Sequence, residues 1–326
     1  MTSTTSNLVV AGDQPAEPGA VEQVTLLTHP LRPRLLTVSA VERIAARMVR
    51  VRLTGEDLAD FVTVAPEDHV KLFLPTEPGG TPEMPEVVDD RWVGGRHLTS
   101  RDYTVRYFDR EARTLDIDLV LHEHGVAGRW AGRAQVGDLV GVLGPRGSFL
   151  VNDVFDWYVF AVDETALPAA ARWLERLRAD VPVTVFVEVQ DEGDVLPLAS
   201  AASVDVTWLF REDRTPGTTS LLADAVRGTD LPAGEGFVWV AGESLSIKPL
   251  RRYLKDEVGL GRDNFDVDGY WRKGVSDHDH HDDDTEAPEE AGAVDEAVVP
   301  DVALPTGSTT VAGLPAPVPA PGPSGD

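Results

Sequence analysis

The sequence predicts a mixed β and α/β protein, with an N-terminal antiparallel β-barrel followed by a C-terminal α/β domain built on a parallel sheet. Up to about residue 152, short segments rich in valine and aromatic residues are separated by glycine, proline or aspartate, which is typical of a small barrel. Beyond that point, apolar runs alternate with segments of helical spacing, as in a sheet covered on both faces. A chain of 326 residues is long enough to bury both cores.

The predicted barrel has six strands, at 35–44, 46–55, 69–75, 101–108, 114–123 and 138–145. The clearest pattern is in MVRVRL and TLDIDLVL, where apolar residues alternate with Arg50, Arg52, Asp116 and Asp118. A period of two indicates strands with one buried and one exposed face.

The α/β part is predicted from apolar runs and helical segments in alternation. The runs are at 157–165, 181–190, 204–210 and 236–244, and the helices at 167–180, 219–228 and 246–259. No G-x-G-x-x-G motif follows a strand, so the dinucleotide fingerprint is absent. Ligands of parallel sheets bind beyond the carboxyl ends of the strands, where the AGES segment falls at 241–244.

Both ends of the chain are predicted to be flexible. Residues 1–30 are polar and aperiodic, and 276–326 hold twelve acidic residues, eight prolines and no lysine or arginine. The domains are therefore expected at 31–152 and 153–275. In the acidic tail, His278, His280 and His281 lie among carboxylates, but a flexible segment offers no fixed ligand geometry, so no metal site is expected.

Composition excludes several classes of function. A net charge of −26 argues against a nucleic-acid partner. The sequence contains no run of about 18 apolar residues, so no membrane insertion is expected. The first thirty residues lack the features of a signal peptide, which predicts a cytoplasmic protein. Cysteine is absent, which excludes disulfides and iron–sulfur clusters. The acidic tail disfavours self-association, so a monomer is expected.

The segment RDYTVRYF, at 101–108, concentrates groups suited to a flat anionic ligand. In a strand, Arg101 and Tyr103 share one face, and Asp102 and Thr104 the other. Arginine suits a phosphate, the tyrosine ring suits stacking, and the threonine hydroxyl suits the edge of a heteroaromatic ring. The alternative is an outer strand with cross-strand aromatic and charge pairs.

The following segment, at 121–149, contains a small-residue turn at Gly125, Ala127 and Gly128 before a predicted short helix. Backbone amides at such a turn can bind a pyrophosphate. The alternative is that the glycines are there for steric reasons alone. Together the two segments describe a site for a flat ring joined to a pyrophosphate.

These motifs resemble those of siderophore-interacting proteins, which are FAD-dependent ferric-siderophore reductases of the ferredoxin reductase-like superfamily. RDYT is similar to the flavin signature, and HEHGVAGRWA, GDLVGVLGPRGS, AGESLSIKPLRRYL and GYWRKG resemble further family markers. The resemblance covers about 31–275. It implies that the first domain binds FAD and that the second binds NADH or NADPH.

The resemblance also implies roles for individual residues. Arg101 is expected to hold the FAD pyrophosphate, Tyr103 to stack on the ring, Thr104 to approach its N5 edge, and Trp130 to cover part of the cofactor. The full expected cofactor-binding set is Arg101, Asp102, Tyr103, Thr104, His122, His124, Gly125, Val126, Ala127, Gly128, Trp130, Gly242, Glu243, Ser244 and Trp271. Ser244 is alternatively a simple helix cap. Arg211 is a candidate for a 2′-phosphate of NADPH or an ordinary surface arginine.

The expected substrate is a ferric siderophore, which is bulky and often anionic. Lysine occurs at four positions, and three of them lie in family-like segments. The expected substrate-binding residues are Lys71, Lys248, Arg251, Arg272 and Lys273. Salt limits their attraction to about 10 Å. Ordinary surface lysines are the alternative.

The predicted reaction passes electrons from NAD(P)H through FAD to Fe(III), releasing Fe(II) in the cytoplasm. It requires no side-chain acid, base or nucleophile, so Tyr103 and Thr104 are expected only to tune the flavin. One alternative is a general flavin reductase or diaphorase with another acceptor, and reduced ferredoxin is a possible partner. Another is a non-catalytic siderophore-binding protein.

Overall fold

The computed structural model describes residues 23–95, 98–122 and 125–275. Its first half is almost entirely β-structure, as predicted. The strands are β1 (Val24–Thr28), β2 (Pro33–Ala45), β3 (Met48–Thr54), β4 (His69–Phe73), β5 (Glu86–Val88), β6 (Arg91–Gly94), β7 (Ser100–Thr104), β8 (Tyr107–Asp109), β9 (Thr114–Val120), β10 (Leu139–Leu143) and β11 (Gly147–Val151), with helix α1 (Val126–Ala131) between β9 and β10.

Seven of these strands form one antiparallel sheet in the order β7, β4, β10, β2, β3, β9, β8. Its two edges, β7 and β8, are joined by only Val105 and Arg106, so the sheet must curl round on itself. The interior is filled by one apolar cluster that includes Leu36, Leu72 and Ile117. The predicted barrel is therefore confirmed.

The prediction of one continuous strand at 101–108 was wrong. The chain leaves β7 at Thr104 and enters β8 at Tyr107, which lies at the opposite edge of the sheet. Between them, the amide of Val105 donates to Asp68 and that of Arg106 to Asp116, so the two residues are held by different strands or loops. Alternation of apolar residues continues across this step, and the sequence therefore gave no sign of it.

The alternation in β3 and β9 is confirmed. Val51 and Ile117 lie in the barrel interior, whereas the charged residues point outwards and pair across the two strands. Arg50 forms two hydrogen bonds with Asp118, at 2.6 and 2.8 Å, and Arg52 forms an equivalent pair with Asp116. Two bonds per pair fix the register of these strands on their outer face.

The prediction of a loose segment over 1–30 needs one correction, because β1 begins at Val24 and pairs with β11. The strand was missed because it is held mainly by backbone pairing: Leu26 at its centre is 69% exposed. A strand without a buried face leaves no apolar period. Residues 1–22, like the acidic tail with its histidines, lie outside the described part of the chain.

The second half alternates strands and helices around a five-stranded sheet whose strands are all parallel, which confirms the α/β prediction. Its elements are β12 (Trp157–Asp163), α2 (Leu167–Arg176), β13 (Pro182–Val189), β14 (Ser203–Phe210), α3 (Leu221–Arg227), β15 (Gly236–Glu243), α4 (Ser244–Arg252) and β16 (Phe265–Trp271). The strand order is β14, β13, β12, β15, β16. It reverses between β12 and β15, where ligands of open parallel sheets bind.

Helix α2 joins the two halves. Arg172 donates to the Thr63 hydroxyl at 2.9 Å, and the indole of Trp173 donates to Glu67 at 3.2 Å. Arg106, from the link that closes the barrel, is paired with Glu175 on the same helix. The barrel and the parallel sheet are thus connected by side-chain bonds from one helix. No helix in the described ranges is both long and apolar enough to cross a membrane.

Candidate functional site

The RDYT segment forms the edge strand β7, which pairs with β4. Tyr103 lies opposite Val70 and Arg101 opposite Leu72, so both residues share the face that carries the barrel core. The ring of Tyr103 packs partly against that core and keeps an exposed part. Burial raises the pKa of Tyr103 to about 12, and the charge of Arg101 opposes this rise. Tyr103 is therefore a neutral phenol at physiological pH.

Asp102 and Thr104 lie on the other face of β7. Asp102 accepts a hydrogen bond from Lys71 at 2.8 Å, directly across from it on β4. Its second oxygen, Oδ1, is buried and has no partner among the described residues. The structure therefore places Lys71, an expected substrate-binding residue, beside the RDYT strand and in an ion pair with Asp102.

The small-residue turn before α1 depends on two glycines. Gly125 has φ 84°, a conformation that favours glycine. At Gly128 a Cβ atom would lie 2.7 Å from both the ring and the carbonyl oxygen of His122, so no side chain fits there. Val126 is exposed and Ala127 buried, while His124 lies outside the described part of the chain.

Strand β9 contacts both β7 and α1, so the two segments expected to bind FAD lie close to one strand. The first amides of α1 have no partner within the helix, as at any helix start. Trp130 differs from expectation. It is only 3% exposed and packs in the barrel core, so its ring cannot cover a cofactor. Its spacing within a short amphipathic helix gave no sign of which face it occupies.

At the carboxyl edge of the parallel sheet, Glu243 is used by the protein itself. Its Oε2 accepts from the amide of Ser246 at 2.8 Å, and its Oε1 from the amide of Lys273 at 3.0 Å. Glu243, not Ser244, is the N-cap of α4, which corrects the helix-cap alternative. Because both oxygens are engaged and Glu243 is 2% exposed, its carboxylate does not fit the expected role of contacting a cofactor. Ser244 is equally buried.

Trp271 lies at the same edge. Its indole donates to Asp163 Oδ2 at 2.7 Å, and Asp163 is buried at the end of β12. Burial raises the pKa of Asp163, while hydrogen bonds from Thr165 and Trp271 act against that rise. A Cβ at Gly242 would lie 2.8 Å from the same carboxylate. Gly242 and Trp271 are therefore brought together around Asp163.

Arg211 corrects a second expectation. It is 3% exposed, and two of its nitrogens bond to Glu164, at 2.7 and 2.5 Å. A second carboxylate, on Glu188, lies 4.0 Å away. An arginine so enclosed is neither a surface residue nor free to bind a phosphate.

Tyr270 connects the two halves of the site. It precedes Trp271 in the GYWRKG segment, and its phenol lies near the hydroxyl of Thr104 in the RDYT strand. Its ring also lies against Trp239, with 6.4 Å between centroids. Burial, together with the nearby Glu67, raises the pKa of Tyr270 well above its usual value. No sequence motif pointed to Tyr270 or Glu67 as site residues, because their proximity depends on how the two domains meet.

The expected substrate-binding residues of the second domain lie on α4 and just beyond β16. Lys248 and Arg251 line a small pocket with Gly269, and Arg251 donates to the carbonyl of Val267 at 2.6 Å. Lys248 and Lys273 are exposed, whereas Arg272 is half-buried. In the described ranges there is no cluster of three or more side chains that could hold a metal ion.

The surroundings of β7 fit a flat ring joined to a pyrophosphate. Tyr103 offers a partly exposed ring at the edge of the sheet, and Arg101 places a half-buried guanidinium beside it. The unpartnered Asp102 Oδ1 is an acceptor that the N–H and hydroxyl groups of FAD can satisfy. The glycine turn before α1 supplies close backbone approach. Each of these features suits FAD.

Two family models match the chain in sequence. A siderophore-interacting FAD-binding domain matches residues 37–149, and a siderophore-interacting protein domain matches 155–274. Ferric vibriobactin reductase ViuB of Vibrio cholerae is 32% identical over 76% of this chain and 93% of its own length. The NADPH-dependent ferric-chelate reductase of Escherichia coli K12 is 36% identical over 70% of this chain and 88% of its own.

Solved structures of the same family are similar to this chain over most of their length. A siderophore utilization protein from T. fusca is 48% identical, with a TM-score of 0.76 over 79% of this chain and 99% of its own. The siderophore-interacting protein SipS from Aeromonas hydrophila is 29% identical, with a TM-score of 0.63 over 77% and 97%. The ferredoxin reductase of carbazole 1,9a-dioxygenase, 17% identical with a TM-score of 0.55 over 74% and 68%, shares the fold alone. The chain therefore belongs to the siderophore-interacting protein family, with a ferredoxin reductase-like fold and FAD as its cofactor.

Proposed function

We propose that this protein is a reductase that moves electrons from NADH or NADPH, through FAD, to the Fe(III) of a siderophore in the cytoplasm. The observation that carries the proposal is the closeness of the RDYT strand β7 to the parallel sheet. Trp173 on α2 donates to Glu67, just before β4, the partner of β7, and the phenol of Tyr270 on β16 lies near Thr104. A donor bound at that sheet and a flavin bound at the barrel would meet at this junction.

The chain's own residues bind and orient in this proposal. Arg101 holds the pyrophosphate and Tyr103 supports the ring by stacking, whereas Thr104, only 5% exposed, supports the strand from the face turned towards Tyr270. The amides between Gly125 and Gly128 close on the phosphates. When bound, FAD supplies the ability to accept a hydride and to release its electrons one at a time.

The iron chemistry needs no acid or base from the protein. One hydride carries two electrons, so it reduces two Fe(III) ions and leaves one proton in solution. Fe(II) carries less charge than Fe(III) and binds the hard oxygen ligands of a siderophore more weakly, which releases the iron. The printed names of two relatives, a ferric vibriobactin reductase and a ferric-chelate reductase, support this reaction.

We further propose that exposed cations attract the anionic substrate. Lys248, Lys273 and the half-buried Arg272 are the best placed, because none of them forms an ion pair with another described residue. Lys71 contributes less, since Asp102 already neutralises it. The overall charge of −26 makes such a local basic surface necessary.

The visible spectrum of the anaerobic FAD-loaded protein tests the proposal. Titration with NADH or NADPH should bleach the flavin, and a ferric siderophore should restore the colour while a ferrous chelator records Fe(II). Bleaching that the iron complex does not reverse would indicate a diaphorase instead. A colourless protein that still binds the siderophore would indicate a binding protein.

A further inference from the structure

The carboxyl ends of β12, β13 and β14 bring together an unusual set of buried charges. Glu164 follows β12, Glu188 lies near the end of β13, and Arg211 follows β14. Arg211 is bonded twice to Glu164, and Glu188 lies 4.0 Å from the same guanidinium. Asp163, at the end of β12, adds a third carboxylate. One arginine thus faces two acids, with the third carboxylate at the end of β12.

The position of these groups in the sheet relates them to the choice between NADH and NADPH. In Rossmann-type sheets, an acidic residue near the end of the second strand binds the ribose hydroxyls of NADH, while a nearby arginine accommodates the 2′-phosphate of NADPH. This chain has the same arrangement of strands without the glycine fingerprint. Counting from β12, the second strand is β13, and Glu188 is its next-to-last residue. Glu188 is therefore in the position of the ribose-binding acid. Arg211 is in the position of the phosphate-binding arginine, but Glu164 already pairs with it.

A 2′-phosphate would bring a charge of about −1.5 to −2 to this edge. The cluster is poorly suited to it, because burial already raises the pKa of Asp163, Glu164 and Glu188. A second arginine, Arg214, uses two nitrogens to bond backbone carbonyls at the end of β14, each at 2.9 Å. The exposed acids Glu212 and Asp213 lie between the two arginines in sequence.

We infer that the electron donor of this protein is NADH, and that Glu164 excludes NADPH by holding Arg211 in an ion pair. The inference rests on the proposed use of a nicotinamide donor. It sets this chain apart from its Escherichia coli relative, which is named NADPH-dependent. Glu164 acts here as a specificity-determining residue.

Two measurements on the FAD-loaded protein test the inference. Calorimetry compares the affinity for ADP-ribose with the affinity for 2′-phospho-ADP-ribose. Neither ligand carries a nicotinamide, so this measurement does not depend on electron transfer. Stopped-flow spectroscopy compares flavin bleaching by NADH and by NADPH. We expect ADP-ribose to bind at least tenfold more tightly, and NADH to be preferred by a similar factor in the bleaching rate at subsaturating donor.

The variant Glu164→Gln keeps the size of the side chain and removes its charge. Part of the charge of Arg211 is then available, so the preference for NADH should fall about tenfold. Asp205→Asn is the matched control, because Asp205 is exposed on β14, about 20 Å along the strand from Arg211, and should change nothing. If Glu164→Gln does not fold, the smaller neutral variant Glu164→Ala removes the same charge, and the same fall is expected.

Each contrary result has a separate meaning. Equal or better use of NADPH by the native protein overturns the inference and leaves the proposed function intact. Loss of that NADPH activity in Arg214→Ala would assign the phosphate to Arg214, which also overturns it. Bleaching by neither nicotinamide, in a protein that reduces the ferric complex after treatment with dithionite, overturns both the inference and the proposed donor. If Glu164→Gln and Asp205→Asn show the same preference for NADH over NADPH, Glu164 does not determine donor specificity and the inference is overturned.

Discussion

Replacing Trp271 with phenylalanine removes one hydrogen bond from a buried carboxylate. In the native protein the indole donates to Asp163 Oδ2 at 2.7 Å, and Asp163 is 6% exposed. The other oxygen still accepts from the amide and hydroxyl of Thr165, at 2.9 and 2.5 Å. Phenylalanine keeps an aromatic ring at the sheet edge but has no donor, so Oδ2 loses its partner.

The cost depends on whether Asp163 is ionised. A hydrogen bond to a charged group contributes about 1.5–3 kcal/mol, and one to a neutral group about 1 kcal/mol. Because the Trp271 bond lowers the pKa of Asp163, its loss raises that pKa further above the usual value. A carboxyl group whose pKa is raised by folding stabilises the fold at low pH and loses this contribution as pH rises. The deficit of Trp271→Phe should therefore grow with pH, to about 2 kcal/mol at pH 8.

Urea unfolding of the FAD-loaded protein at pH 5.5 and pH 8 measures how the deficit changes with pH. Both values lie above the isoelectric point of about 4.5. For a chain of this size, about 2 kcal/mol also lowers Tm by about 4–8 °C. Trp157→Phe is the control, since the indole nitrogen of Trp157 is buried without a partner in the described part of the chain. Equal deficits of Trp271→Phe at both pH values, or the same pH slope in Trp157→Phe, would refute the reasoning.

Other predictions concern the FAD-binding turn, the contact between the two domains and the exposed lysines. Gly128→Ala places a Cβ atom 2.7 Å from His122 and should weaken FAD retention more than tenfold, measured by the flavin absorbance left after gel filtration; full retention would contradict this. Glu67→Gln should raise the free energy of unfolding more at pH 8 than at pH 5.5, because burial and neighbouring aspartates raise the pKa of Glu67 and its ionised form is costly; urea titrations that show no such difference would count against it. Lys248→Ala and Lys273→Ala should each weaken ferric-siderophore binding several-fold at low salt and little at high salt, while the exposed Lys255→Ala serves as the unchanged control in fluorescence titrations. Equal effects of all three lysine changes would indicate a general charge effect.

The architecture could be predicted because each half of the chain has a strong local period. Alternation in β3 and β9 and the apolar runs of β12 and β15 follow directly from which faces are buried. β1 had no such period, and the step at Val105 and Arg106 keeps the alternation while the chain changes strands. Local patterns report burial, and they do not report which edge of a sheet a strand occupies.

The site was predictable only where a motif maps to one place. The RDYT strand lies on a sheet edge with the expected alternation, but the state of each charged or aromatic side chain depends on distant partners. Arg211 is enclosed by Glu164, 47 positions away, and Trp130 is enclosed by the barrel core. Tyr270 lies near Thr104 through the packing of one domain on the other, to which a bond from α2 contributes. Such pairings are set by tertiary contact and leave no trace in sequence spacing.

The two-residue link between β7 and β8 has a consequence for how the molecule unfolds. Arg106 lies in that link, where its amide bonds to β9 and its side chain to Glu175 on α2. Opening the barrel at its seam therefore also breaks one of the side-chain pairs that hold α2 to the barrel. Two domains so connected should lose their structure together, so circular dichroism and flavin fluorescence should report one coincident transition instead of two separate melts.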